Sequence, residues 1–232
     1  MKITAEESRR AIRAIHLAIQ EARRDPFVFI GGGLVPLLLS DPAAAPVRPT
    51  RDIDVVFSIV TAGEYSYIRR DLFNVGFYDD ITIDKPACAL FYGNWQVDIL
   101  CSSPGIIDAG NRWFAAVMRD PVEEVIEDVT IMRASTPSWI ATKLEAWFSR
   151  GRLPSEALDY YHQDIEDVMA VIDGRPECVE EIAAGSGDVR DFLRQAFGLQ
   201  ISNADFLSAL PGHTHGHERA TIVLKRLRDI LK

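Results

Sequence analysis

Apolar residues recur at helical spacing near the start of the chain, at Ile12, Ile15, Ile19 and Ala22, and predict an amphipathic helix ending near Arg24. Thr4, followed three residues later by Glu7, has the form of a capping box, and Asp25-Pro26 stops the helix. The period then changes. Phe27-Val28-Phe29-Ile30 is continuously apolar, as in a strand covered on both faces. Gly31-Gly32-Gly33 breaks it, and Leu34 to Leu39 reads as a short helix with Pro36 in its first turn. Three prolines between Ser40 and Pro49 mark a loop. Asp52-Ile53-Asp54-Val55-Val56-Phe57 follows as an alternating strand whose polar face opens with two carboxylates.

A helix over 63–74 ends before Gly76, and strands over 87–92 and 95–100 are joined by Gly93-Asn94 as a two-residue hairpin turn. A helix over 111–118 and a strand over 129–133 complete the mixed region. Beyond Pro137 the period is helical throughout. Ile140, Leu144, Trp147 and Phe148 form one set and Ile165, Val168, Met169 and Ile172 another, with breaks expected at Gly174, Gly185 to Gly187, Gly198 and Pro211. The expected fold is α+β, a small mixed sheet with flanking helices followed by an all-helical C-terminal part. Its two domains, 1–135 and 136–232, divide near Ser135 to Pro137.

A length of 232 residues suffices for such a pair. Hydrophobic residues at 47% and charged residues at 25% are ordinary for a soluble globular protein. A net charge of −9 gives no global field for nucleic acid. Arg9, Arg10, Arg13, Arg23 and Arg24 nevertheless crowd the first helix, and Lys225, Arg226 and Arg228 the last. They read as solvated faces, with local contact to a polyanion as the alternative. Cys88, Cys101 and Cys178 are odd in number and lack CxxC spacing, which argues against a zinc ribbon or a disulfide framework. No apolar run reaches membrane-spanning length and the N-terminus lacks a signal core, so a cytoplasmic protein is expected.

The chemistry starts at Asp52 and Asp54. Side chains two apart on a strand share a face, so these carboxylates converge and repel, and a divalent cation removes the conflict. Asp98 lies in a second predicted strand, Gln96-Val97-Asp98-Ile99-Leu100, among apolar neighbours. If the two strands are adjacent, three carboxylates meet at one end of the sheet, enough for the two metal ions of an in-line phosphoryl displacement. The glycine turn adds backbone N–H groups and a helix N-terminus for phosphate. It is neither a Walker loop nor a dinucleotide fingerprint.

Phe29-Ile30-Gly31-Gly32, Arg48-Pro49-Thr50-Arg51-Asp52-Ile53-Asp54 and Val97-Asp98 together resemble the nucleotidyltransferase superfamily of polymerase-β-like fold. Within it the pattern looks like the AbiEii-type branch of abortive-infection and toxin–antitoxin systems. Asn111-Arg112-Trp113-Phe114, Ala141-Thr142-Lys143-Leu144-Glu145-Ala146 with Arg150-Gly151, and Asp164-Ile165-Glu166-Asp167 ahead of Asp173-Gly174-Arg175 extend the resemblance over residues 27–175. The resemblance implies that Asp52 and Asp54 hold magnesium, as two ions, and that Asp98 is a third ligand able to accept the proton of the attacking hydroxyl. It implies that Gly31 and Gly32, with Arg48 and Thr50, bind the NTP. Lys143 would neutralise its phosphates and Asp164 would orient Lys143 or the acceptor. The implied acceptor is tRNA or a protein, with a cognate antitoxin as partner.

Two departures stand out. Many members carry Ser after the glycine pair, where this chain has Gly33, and the interval from Gly32 to Asp52 is long. A small-molecule acceptor, as in antibiotic-modifying relatives, and a non-catalytic nucleotide-binding protein are the alternatives. A glycosyltransferase DxD fits poorly, because only one helix and one strand precede it. His213-Thr214-His215-Gly216-His217 has metal-binding composition, with a solvated turn or helix start as the simpler reading.

Overall fold

The computed structural model describes residues 4–103, 105–106, 110–214 and 216–232. The chain divides into two units, one built from the residues up to Leu34 with Pro49–Ser135, the other from Val35–Arg48 with Thr136–Lys232.

In the first unit, helix α1 (Ala5–Ala22) starts on the capping box expected from Thr4 and Glu7, with both reciprocal hydrogen bonds present. It buries Ile12, Ile15 and Ile19, the stripe its period prescribed. Among the described residues one six-stranded mixed sheet forms, from β1 (Phe27–Ile30), β2 (Asp52–Phe57), β3 (Ala89–Tyr92), β4 (Trp95–Cys101), β5 (Pro121–Ile126) and β6 (Val129–Ala134). Its order is β3-β4-β2-β1-β6-β5. The pairs β2–β4 and β1–β6 are parallel and the others antiparallel. The central position of β1 explains its unbroken apolar sequence: all four of its residues are buried.

Between β1 and β2 the chain enters a 3-10 turn (Gly32–Leu34) and then α2 (Val35–Leu38), which belongs to the second unit. The helix expected after the glycines is thus one tight turn and one α-turn, too short to supply a useful dipole to an anion. Helices α3 (Ala62–Phe73) and α4 (Phe114–Arg119) complete the first unit.

The sequence pattern missed β5. Glu123 and Glu124 are poor strand formers, and the hairpin to β6 turns through Glu127 and Asp128 without a glycine, with Glu127 itself at φ 55. An edge strand tolerates such residues: Glu123 is exposed, and Glu124 accepts from the buried Arg133 Nε at 3.0 Å.

The second unit is helical: α2, α5 (Thr136–Arg150), α6 (Gln163–Gly174), α7 (Cys178–Ala184), α8 (Gly187–Gln200), α9 (Ala204–His213) and α10 (His217–Ile230). Helix α5 packs on α6, α7 and α8, and α10 packs on α6, α7 and α9. Trp139, Trp147, Ile165, Val168, Phe197 and Phe206 fill its core. The segment after α2 is fastened to the end of α6, where the N–H groups of Ser40 and Asp41 both donate to the Gly174 carbonyl at 2.9 Å. Two expected breaks are absent: α8 runs through Gly198, and α9 carries Pro211 in its last turn. The interruption lies instead at 201–203, where Asn203 caps α9 through its side chain.

Candidate active site

The parallel register of β2 and β4 pairs Asp54 with Asp98 and Asp52 with Gln96. Paired residues on adjacent strands point to the same face, so both strands present their polar residues together. Asp54 and Asp98 are half-buried and Asp52 is exposed. On the other side of β2, Ile30 pairs with Asp54, which carries the chain directly into the glycine turn. Gly31 takes φ +83, and the Asp54 carboxylate occupies the space a Cβ there would need. Glycine is therefore required twice over, by the backbone conformation and by the close approach.

Gly33 is explained in the same way. A Cβ at this position would stand 2.8 Å from the Asp52 carbonyl oxygen, so the Ser of the superfamily pattern does not fit this turn without a shift of β2. Thr50 is committed locally: its hydroxyl donates to the Asp52 carboxylate at 3.1 Å and accepts from the Asp52 N–H at 3.1 Å. Gln96 Nε2 donates to Asp98 Oδ1 at 2.9 Å. Cys88, beside β4, feels both acids; burial, reinforced by the charges of Asp98 and Asp54, pushes its thiol up to about 12. All three cysteines are buried and free.

Among the described residues no three His, Cys, Asp or Glu side chains converge as a ready metal-ligand set. Asp54 and Asp98 nonetheless supply two hard oxygen groups side by side, with Asp52 one strand repeat away on the same face. That donor chemistry fits magnesium rather than a thiophilic or imidazole-seeking metal.

Lys143, Asp164 and Arg48 lie in the second unit. Lys143, on α5, is buried, and its Nζ donates to Asp164 Oδ1 at 2.9 Å and to Asp167 Oδ2 at 2.7 Å, both on α6. Its ammonium also sits 5.9 Å from the centre of the Trp139 ring. Arg150, two turns further along α5, donates to Asp164 Oδ2 at 3.0 Å through a guanidinium N–H. Arg48 reaches to 4.0 Å from Asp167, and its Nε is buried without a partner. Burial alone would raise the Asp164 carboxyl, but the charges of Lys143 and Arg150 outweigh it and hold Asp164 below its ordinary range. Lys143 is likewise held above its ordinary value, because Asp167 and Asp164 outweigh its desolvation. Asp167 belongs to the Asp164-Ile165-Glu166-Asp167 motif read from the sequence, but that reading assigns it no role. Its spacing of three from Asp164 on a helix was the available signal.

The remaining candidates separate. His213 is buried at the end of α9, where its Nε2 lies 2.7 Å from the Tyr160 carbonyl oxygen. A carbonyl only accepts, so Nε2 carries the proton; this histidine is a packed side chain and no solvated turn. His217 is exposed at the start of α10, and His215 lies outside the described residues. The basic clusters are largely taken up by the chain itself. Arg10 pairs with Glu6, Arg13 with Asp128, Arg23 with Asp25 and Asp71, and Lys225 with Asp229, while Arg226 donates to the Ile172 carbonyl. No helix of the described residues is long and apolar enough to cross a membrane.

A six-stranded mixed sheet with this strand order, followed by an all-helical C-terminal part, has a nucleotidyltransferase-like fold. Among solved structures, an antigenic nucleotidyltransferase-like protein from Paracoccidioides brasiliensis superposes on this chain with a TM-score of 0.53 at 15% identity, covering 90% of this chain and 94% of the other. No protein-family model and no curated protein matches the sequence.

Proposed function

We propose that the chain is a metal-dependent nucleotidyltransferase that moves a nucleoside monophosphate from an NTP to an acceptor hydroxyl. The reading rests on the pairing of Asp54 with Asp98 across β2 and β4, with the Gly31 turn pressed against Asp54. Asp54 and Asp98 would hold magnesium, with Asp52 joining from the same face. When bound, such ions neutralise charge on the phosphate oxygens during an in-line displacement. Asp98 takes the proton of the acceptor hydroxyl as its oxygen bonds to the α-phosphorus and pyrophosphate leaves. The Gly31-Gly32 turn offers backbone N–H groups to the triphosphate with no side chain in the way. Thr50 fixes the Asp52 carboxylate, and Lys143 with Asp164 and Asp167 locks α5 to α6.

The acceptor is tRNA or a protein, and the chain acts as a growth-arresting toxin or phage-defence component held in check by an antitoxin. Support for this part comes from the AbiEii-type sequence pattern. The test is incubation of the protein with magnesium and each α-labelled NTP, alone, with bulk tRNA, or with cell protein. Label transfer with pyrophosphate release that is lost in Asp54→Asn is the expected result, and failure to bind any NTP at millimolar magnesium overturns it. Transfer only to small hydroxylated compounds would replace the acceptor assignment. Growth arrest on overexpression, relieved by Asp54→Asn, checks the toxin role separately.

A further inference from the structure

The parallel register sets two rows of side chains on the acid-bearing face of the sheet. Asp54 and Asp98 share one row, and Gln96 stands opposite Asp52 in the next. Gln96 and Asp98 lie two residues apart on β4, so both side chains rise from the same face. Gln96 is anchored on both sides: its N–H donates to the Arg51 carbonyl at 3.0 Å, and Phe91 of β3 is its partner across the hairpin. From that base its Nε2 donates to Asp98 Oδ1 at 2.9 Å. An ionised carboxylate only accepts, so the nitrogen end of the amide is the end that faces Asp98.

The residue type matters at this place. Lysine or arginine would also donate, but a positive charge there would compete with a metal ion for the carboxylate. Glutamine supplies a donor without charge. The buried Cys88 thiol also bears on Asp98, yet a thiol is a weak donor, so the amide is the stronger hold. Asp52 has a similar arrangement, with the Thr50 hydroxyl donating to it from two residues upstream at 3.1 Å. Asp52 is exposed, however, whereas Gln96 and Asp98 are half-buried, where a hydrogen bond is worth more.

We infer that Gln96 is a positioning residue for the metal site, fixing the Asp98 carboxylate in the orientation that magnesium requires. The inference rests on the metal-dependent reading above. Magnesium demands near-octahedral ligands at about 2.1 Å, whereas calcium accepts a looser set at greater distance. Because the amide is neutral, its removal leaves the charge of the site unchanged, and a difference between the two ions reports geometry. Hydrogen-bond partners of metal ligands change metal affinity by about tenfold or more.

The test follows manganese bound to the whole protein by electron paramagnetic resonance, with magnesium and calcium as competitors. Gln96→Met keeps the length of the side chain and removes the donor. It is expected to weaken manganese and magnesium about tenfold, and calcium clearly less. Equal weakening of magnesium and calcium, or none, overturns the inference. A native protein that binds no manganese overturns the metal reading and this inference with it; unchanged constants in Gln96→Met overturn the inference alone. In the native chain, the Gln96 side-chain amide, labelled with a nitrogen isotope, should move in nuclear magnetic resonance with the same half-saturation as the magnesium titration. An amide that ignores magnesium overturns the inference even where the variant does not fold.

Discussion

On the sheet, Asp52, Asp54 and Asp98 are arrayed by strand register and stay at least partly open to water. Between α5 and α6, Asp164 and Asp167 instead close on a buried lysine, with Asp164 wholly shielded. The two acidic groups follow opposite physical rules. A buried carboxylate must bring its counter-charge with it, so the cation is written into α5 as Lys143 and reinforced by Arg150. Carboxylates within reach of solvent can take a cation from solution. The buried cluster therefore settles its charge inside the fold, and the open cluster is the one proposed to take up magnesium.

That contrast can be broken most directly at Asp54. Asp54→Asn is expected to lower nucleotidyl transfer on the order of a thousandfold or more, as for other groups that organise transition-state charge, while Tm moves by no more than a few degrees. Label transfer and thermal melts measured together check this; unfolding of the variant would erase the distinction between the two clusters. Lys143→Met should do the reverse. Leaving Asp164 and Asp167 buried around a missing charge costs about 3–5 kcal/mol, read from urea denaturation, and the double variant Lys143→Met/Asp164→Leu should recover part of it.

A smaller effect is expected at Gly31→Ala, where φ +83 and the adjacent Asp54 carboxylate both oppose a Cβ. Strain of this kind costs about 1–3 kcal/mol, and displacement of Asp54 should lower transfer as well. The smallest effect is in pH dependence. Asp164 is depressed in the folded state, so its contribution is whole above the unfolded carboxyl value of about 3.9 and is lost as pH falls through that value toward the folded one. Lys143 is raised, so its contribution is whole below about 10.4 and is lost as pH climbs through the folded value. Urea midpoints across the acid range should fall in the native chain, and Asp164→Asn should flatten that limb.

Much of the sheet was legible in advance. Phe27–Ile30 and Asp52–Phe57 form strands with the predicted bounds, because an unbroken apolar run and an alternating one each admit few other structures. The Gly93-Asn94 turn was legible for the same local reason. Strand β5 was not, because two consecutive glutamates, one exposed and one paired with Arg133, interrupt any apolar signature. Gly198 and Pro211 were misleading: a helix held by tertiary packing absorbs a glycine, and a proline in a last turn forfeits only one backbone bond. At the candidate site, residue types were readable but register was not. That Asp98 pairs with Asp54 while Asp52 faces Gln96 is set by where β4 docks on β2. The reason for Gly33 was equally hidden, since it lies in the approach of another strand's carbonyl.

The fastening of the residue 40 segment to Gly174 bears on how the polypeptide can be cut and how it is made. Because Val35–Arg48 belongs with Thr136–Lys232, cleavage of the gene at codon 136 would not yield a self-sufficient helical piece. Such a fragment would lack the two N–H donors that cap the Gly174 carbonyl, the Leu39 and Ala44 side chains beside it, and Asp41, the partner of Arg219. On the ribosome the same order imposes a wait. The segment from Val35 to Arg48 emerges early, and the helix it docks on is completed only after the whole sheet has been synthesised.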